Sequence, residues 1–145
     1  MNYSKIIHLA SIFFMAFIST QICPAATETR IIKIEDVYVK HGDKTSIAAR
    51  GQLNEGFGWT DIEGEYLNFT VLDTSGNKIF SKTEKISFWD GKASVDIDTH
   101  NLIPGRYTID VKYRGKKYLR PCKTHASLVV ISPGSFPTQN FRCKL

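Results

Sequence analysis

The chain has 145 residues and a formal net charge of +5, with 42% hydrophobic and 23% charged residues. That length suits one domain around a single core. The lysines and arginines are spread along the chain, whereas a nucleic-acid or anionic-lipid binder shows a basic run or stripe, so those two partner classes are set aside.

The first segment is not part of the domain. Met1–Lys5 carries one charge, Lys5, and Ile6–Ile18 is apolar apart from His8 and Ser11. Ser19–Ala26 then ends in Pro24-Ala25-Ala26. A charged start, a short apolar stretch and small residues at a cleavage point, in that order, predict a signal peptide over residues 1–26. The apolar run is too short for a comfortable membrane span, so no span is expected after cleavage; an uncleaved anchor is the rival. Cys23 falls inside this segment, and Thr20-Gln21-Ile22 lacks the small residue expected before a lipoprotein cysteine. Cleavage leaves two cysteines, Cys122 and Cys143, which in an exported domain read as a disulfide. A loop of that length contributes about 3 kcal/mol on the chain-entropy argument. The alternative is a reactive or metal-binding thiol, for which only His125 is near in sequence.

The rest alternates like an all-β protein. Arg30–Val39 is a β-rich opening segment, and His41-Gly42-Asp43 is a turn. Lys44–Leu53 places Ile47, Ala49, Gly51 and Leu53 on one face, and Leu67, Phe69 and Val71 alternate in a half-buried strand. Asp73–Asn77 is a turn with Gly76 or Asn77 suited to positive φ, followed by a short strand at Lys78–Lys82. Asp90-Gly91 predicts a two-residue hairpin between Ile86–Trp89 and the strand of Ala93, Val95 and Ile97. Tyr107, Ile109, Val111 and Tyr113 share one face of the clearest strand. Ser127–Ile131 is expected in the last strand, with Leu128 and Val130 inward. About seven strands result, in a Greek-key β-sandwich over residues 27–131, with 132–145 a tail tied back by the disulfide.

Tyr107 follows a Pro104-Gly105 turn at the opening of a late strand. In that position its hydroxyl can return to the backbone upstream as a tyrosine corner. An ordinary cross-strand tyrosine is the alternative.

The ordered pieces His41-Gly42-Asp43-Lys44-Thr45, Leu67–Val71 with Gly76-Asn77, Asp90-Gly91-Lys92-Ala93, Leu102–Tyr107, and Val111–Gly115 with Tyr118 and Pro121 together resemble the Ig-like repeat domains of prokaryotic surface and secreted proteins. The resemblance implies an immunoglobulin-like sandwich used as a stalk, spacer or adhesive module. Two departures bear on the stalk role: such domains occur in tandem, and the Cys122/Cys143 pair lies outside the pattern. Ile109 also stands where the second cysteine of an antibody-type disulfide would be.

No G-x-S-x-G or H-E-x-x-H motif and no close His/Cys ligand set occurs, and His41, His100 and His125 fall in turns or strand edges. No enzyme, cofactor or metal site is therefore expected. Among the carboxylates, calcium through the oxygen-rich stretch Asp61–Glu65 is the metal alternative. Asn68-Phe69-Thr70 is a glycosylation sequon if the host has the machinery. Lys112–Lys117 reads as a solvated basic turn.

Gly56-Phe57-Gly58-Trp59 sets two large aromatics between glycines where no core period requires them. Phe57, Trp59 and Trp89 are the candidate contacts for a protein or glycan at the cell surface. The alternative is that Phe57 or Trp59 folds back to plug the sandwich end. The functional expectation is a secreted or surface binding module, with a structural accessory domain second and a small exported hydrolase or inhibitor third.

Overall fold

The computed structural model describes residues 25–134. The expectations placed on the leader up to Pro24, on Cys143 and on the tail from Ser135 lie outside the described residues.

Nine strands run in chain order: β1 Thr29–Ile32, β2 Val37–Lys40, β3 Lys44–Asn54, β4 Trp59–Asp61, β5 Tyr66–Leu72, β6 Lys78–Lys85, β7 Lys92–Asp98, β8 Gly105–Tyr113 and β9 Cys122–Ile131. They form two sheets and no helix among the described residues. In one sheet β3 pairs with β1, β4 and β7; the other has the order β2-β9-β8-β5-β6. Strands β3 and β7 share one sheet and β5, β8 and β9 the other. This is the partition of B and E from C, F and G in immunoglobulin-type sandwiches.

The count exceeds the seven expected for two reasons. The opening segment, read as one, is split: Ile32 still pairs with Arg50 of β3, whereas Val37 pairs with Leu128 of β9. Between them the chain changes sheets, with Lys33 at φ 56. Asp36 Oδ1 accepts the Ser127 N–H at 2.7 Å, supplying β9 with a partner where no strand does. The second addition is β4, in a stretch where the sequence pattern suggests no strand.

The Asp90-Gly91 reading needs correction. Strands β6 and β7 lie in different sheets, so residues 86–91 form a sheet-crossing connection and not a hairpin. Ser87 N–H donates to the Lys92 carbonyl at 2.8 Å and Gly91 N–H to the Ser87 carbonyl at 3.1 Å, closing a compact turn. The D-G signal reports positive φ, here 65° at Gly91. It does not report which strands flank the turn.

The core follows from period-two alternation. Leu67, Phe69, Val71, Ile109, Val111 and Leu128 are fully buried on the inner face of the five-stranded sheet. Ile47, Ala49, Ala93, Val95 and Ile97 oppose them. One end is closed by Ile62 and Ile86 from the connections, both buried. Gly51 leaves room for the second, since a Cβ there would sit 3.0 Å from Ile86 Cδ1.

The other end is held by the β7–β8 connection. Tyr107 is buried, and its hydroxyl donates to the Ile103 carbonyl at 2.6 Å. Thr99, fully buried, accepts from Gly42 N–H at 3.0 Å and lies within hydrogen-bonding distance of the Lys40 and Asp43 carbonyls. One threonine thus ties the β2–β3 turn to the β7–β8 corner.

Candidate binding site at one end of the sandwich

The β3–β4 hairpin, the β4–β5 and β6–β7 connections and the β8–β9 turn gather at one end. Three contacts establish this. Asp61 of β4 packs against Gly91, where an added Cβ would run into the carboxylate. Phe88 packs against Gly64, where a Cβ would lie 2.7 Å from the ring. Lys116 Nζ reaches Glu65 Oε1 at 2.6 Å. Gly91 and Gly64 both have positive φ, so glycine is required there on conformational and steric grounds.

Phe57 and Trp89 stand clear of the core, at 106% and 97% relative exposure. Phe57 sits in a tight loop: Glu55 N–H donates to the Gly58 carbonyl at 3.0 Å and Gly56 N–H to Asn54 Oδ1 at 2.9 Å. Trp89 sits in the crossing turn, its N–H within 3.2 Å of Ser87 Oγ. The plug reading fails for Phe57 because Ile62 and Ile86 already fill the sandwich end. Trp59 is different. At 37% exposure it lies on β4 with the Arg30 guanidinium 4.0 Å from its ring centroid.

A polar chain on the outer face of β1, β3 and β4 joins these elements. Arg30 donates from Nε and Nη2 to Gln52 Oε1 at 3.0 and 2.8 Å. Gln52 Nε2 donates to Asp61 Oδ1 at 3.1 Å. Arg50 Nη2 donates to the Asp90 carbonyl at 2.6 Å, and Arg50 Nε lies 3.7 Å from Asp61 Oδ1. The register makes this possible, since Arg30, Gln52 and Asp61 are cross-strand neighbours. The chain fixes Trp59 at one end and the backbone of the Trp89 turn at the other. Sequence reading missed it, because Arg50 and Gln52 alternate like any outward strand residues and their partners come from distant segments.

The other expectations fall elsewhere. Asp61 and Glu65 are each held by a cation, Arg50 and Lys116. No cluster of three or more His, Cys, Asp or Glu side chains suited to a metal occurs among the described residues. His100 Nδ1 is 2.8 Å from Asp98 Oδ1, exposed and at the corner end. Hydrogen bonds from the His100 backbone and ring hold Asp98 below the usual carboxylate range. His125 lies opposite Asp110 on the outer face. Asn68 points outward; its amide donates to Thr83 Oγ1 and its carbonyl accepts from Thr70 Oγ1, both at 3.0 Å. Cys122 opens β9, half-buried, with burial pushing its thiol up.

No protein-family model matches the sequence, and no curated protein matches it. Among solved structures, CopC from Methylosinus trichosporium OB3b superposes with a TM-score of 0.51 at 12% identity, over 74% of this chain and 98% of its own. The likeness is one of fold. A tetra-tandem repeat from the extending region of a large adhesion protein gives 0.44 at 14% identity, over 72% of this chain and 24% of that one. A chimeric titin Z1Z2 gives 0.41 at 18% identity, over 74% and 99%.

Proposed function

We propose that the protein is exported and that its sandwich is a non-catalytic binding module of the cell surface, engaging a protein or glycan through the end that carries Phe57, Trp59 and Trp89. The observation that carries this reading is the full exposure of Phe57 and Trp89 on tight, hydrogen-bonded turns. Each such aromatic offers about 150–250 Å² of contact surface, and a rigid turn loses little entropy when it is covered. Export rests on the segment Met1–Ala26, with its charged start, apolar stretch and small-residue end.

The test has two parts. Mass spectrometry of the exported protein should find a chain starting near Thr27. Co-sedimentation of that protein with its own cells' envelope material should then be lost in Phe57→Ala/Trp89→Ala. Retention equal to the parent would end the reading.

A structural accessory role is the second reading, favoured by a different observation. Strand β1 pairs only with Arg50–Leu53 of β3, so the same edge of β3 from Lys44 to Ala49 has no strand partner among the described residues. An open edge can accept a strand from a neighbour. Under this reading a proline at Ala48 abolishes assembly, while the loop aromatics are dispensable.

A further inference from the structure

The end of β8, the turn after it and the start of β9 carry Lys112, Arg114, Lys116, Lys117, Arg120 and Lys123, and no acidic residue follows Asp110 in the sequence. The basic turn therefore extends onto the sheet. Register sets Lys112 directly opposite Lys123, both exposed on the outer face. Like charges placed opposite one another weaken a sheet, so the fold gains nothing from this pair. Neutralisation is partial: Lys116 meets Glu65 at 2.6 Å, while Lys112 is 3.9 Å from Asp110 and Arg120 is 3.8 Å from Glu28. Arg114 and Lys123 have no ion-pair partner among the described residues.

The row that holds Lys123 and Lys112 continues into neutral groups. Lys112 faces Asn68 and Asn68 faces Thr83. Thr70 and Ser81, 3.4 Å apart, extend this polar surface in the next row. Tyr66, 56% exposed, stands at the head of β5 opposite Lys85. Tyr66, Asn68, Thr83, Lys112 and Arg114 line a recess of about 360 Å³, whose one carboxylate, Glu65, is already paired.

We propose that this face of the five-stranded sheet binds an acidic polysaccharide. Tyr66 offers a flat apolar platform for a sugar ring, and Asn68 and Thr83 offer hydrogen-bonding groups for its hydroxyls. Lys112, Arg114 and Lys123 supply the counter-charge for its carboxylates, Arg114 with a fork that fits a carboxylate in two-point fashion. A single-stranded nucleic acid would be served by a series of stacking platforms along a basic groove. Here one aromatic is followed by amide and hydroxyl groups. The proposal stands apart from the loop aromatics, and either can fail without the other.

The experiment is a titration of residues 27–145 with polygalacturonate at low and high salt, using neutral galactan as the uncharged counterpart. Binding to polygalacturonate alone, weakening as salt rises, is expected. Lys112→Gln/Arg114→Gln/Lys123→Gln should weaken it by about tenfold or more, whereas Lys40→Gln/Lys44→Gln/Lys92→Gln, with the same net charge, should not. Equal loss in both triple variants would reduce the effect to net charge and overturn the site. Because removing the Lys112/Lys123 opposition does not threaten folding, thermal melts of the first variant should match the parent. Tyr66→Ala should weaken polygalacturonate binding and leave inorganic polyphosphate binding unchanged; no difference between the two probes would overturn the sugar assignment. Single-stranded DNA bound as tightly as polygalacturonate would overturn it as well.

Discussion

Tyr107 Oη donates to the Ile103 carbonyl at 2.6 Å across the β7–β8 corner, and the ring is buried between the sheets. Tyr113, six residues further along β8, is also buried, but its hydroxyl has no hydrogen-bond partner among the described residues. The same substitution should therefore have opposite consequences at the two sites. Tyr107→Phe leaves the Ile103 carbonyl unpaired and is expected to cost about 1–3 kcal/mol. Tyr113→Phe removes a hydroxyl that burial penalises and is expected to be neutral or slightly stabilising, within about 1 kcal/mol. Tyr118, half-exposed, sets the zero line. Urea melts of the three variants decide the matter, and equal losses at 107 and 113 would contradict it.

The pH dependence has two sides. Backbone and side-chain hydrogen bonds from Asn77 hold Asp73 below the ordinary carboxylate value, and comparable bonds from Lys92 and Ser87 hold Asp90 down. Carboxylates lowered in the fold contribute stability above their unfolded value, lost as pH falls through the folded one. Stability should thus decline below about pH 4. On the alkaline side, burial pushes Tyr113 up to about 12. A raised value contributes stability that is full below the unfolded value and is lost as pH rises. Melting temperatures should fall above about pH 10, less steeply in Tyr113→Phe. An alkaline limb identical in that variant would contradict the assignment.

Cys122 begins β9 at the end opposite Gly134. Ten strand residues at about 3.3 Å each separate those ends by about 30 Å. Nine residues from Gly134 to Cys143 can cover about the same distance when extended. The bond is thus within reach, and Pro133-Gly134, with φ 98 at the glycine, has turn chemistry suited to a reversal. We expect no free thiol in unreduced, denatured protein lacking the leader, and a loss of about 2–4 kcal/mol on reduction. Two titratable thiols per chain would contradict this.

The two tryptophans should separate in stability. Trp89→Ala removes a side chain that is 97% exposed and should change stability by under about 0.5 kcal/mol. Trp59→Ala removes the Arg30 stacking partner and is expected to cost about 1 kcal/mol. Matched thermal melts check this; a larger loss at Trp89 would show that its turn depends on the ring.

Strands were legible wherever one face is buried and alternation is strict, as in Leu67-Asn68-Phe69-Thr70-Val71 and Tyr107–Tyr113. The long-range choices were not. Nothing in Arg30–Val39 announces that the chain changes sheets at Lys33, because both halves carry β-branched residues and the partners that part them, Arg50 for Ile32 and Leu128 for Val37, lie far along the chain. Asp90-Gly91 encodes a turn, and the sheet to which its flanks belong is decided by β3 offering an edge to β7. The loop aromatics could be named because they lacked a core period. Their attachment through Arg50, Gln52 and Asp61 could not, since cross-strand register is a property of pairing.

The proposed role rests on contact made by the loop end, and the chain has just two tryptophans, both there. Trp59→Phe leaves Trp89 as the sole reporter. Its fluorescence should be followed as the protein is titrated with solubilised envelope material from its own cells. On binding, emission should shift to shorter wavelength and iodide quenching should fall, as water is excluded from the ring. Binding that leaves both emission and quenching of Trp89 unchanged would contradict it.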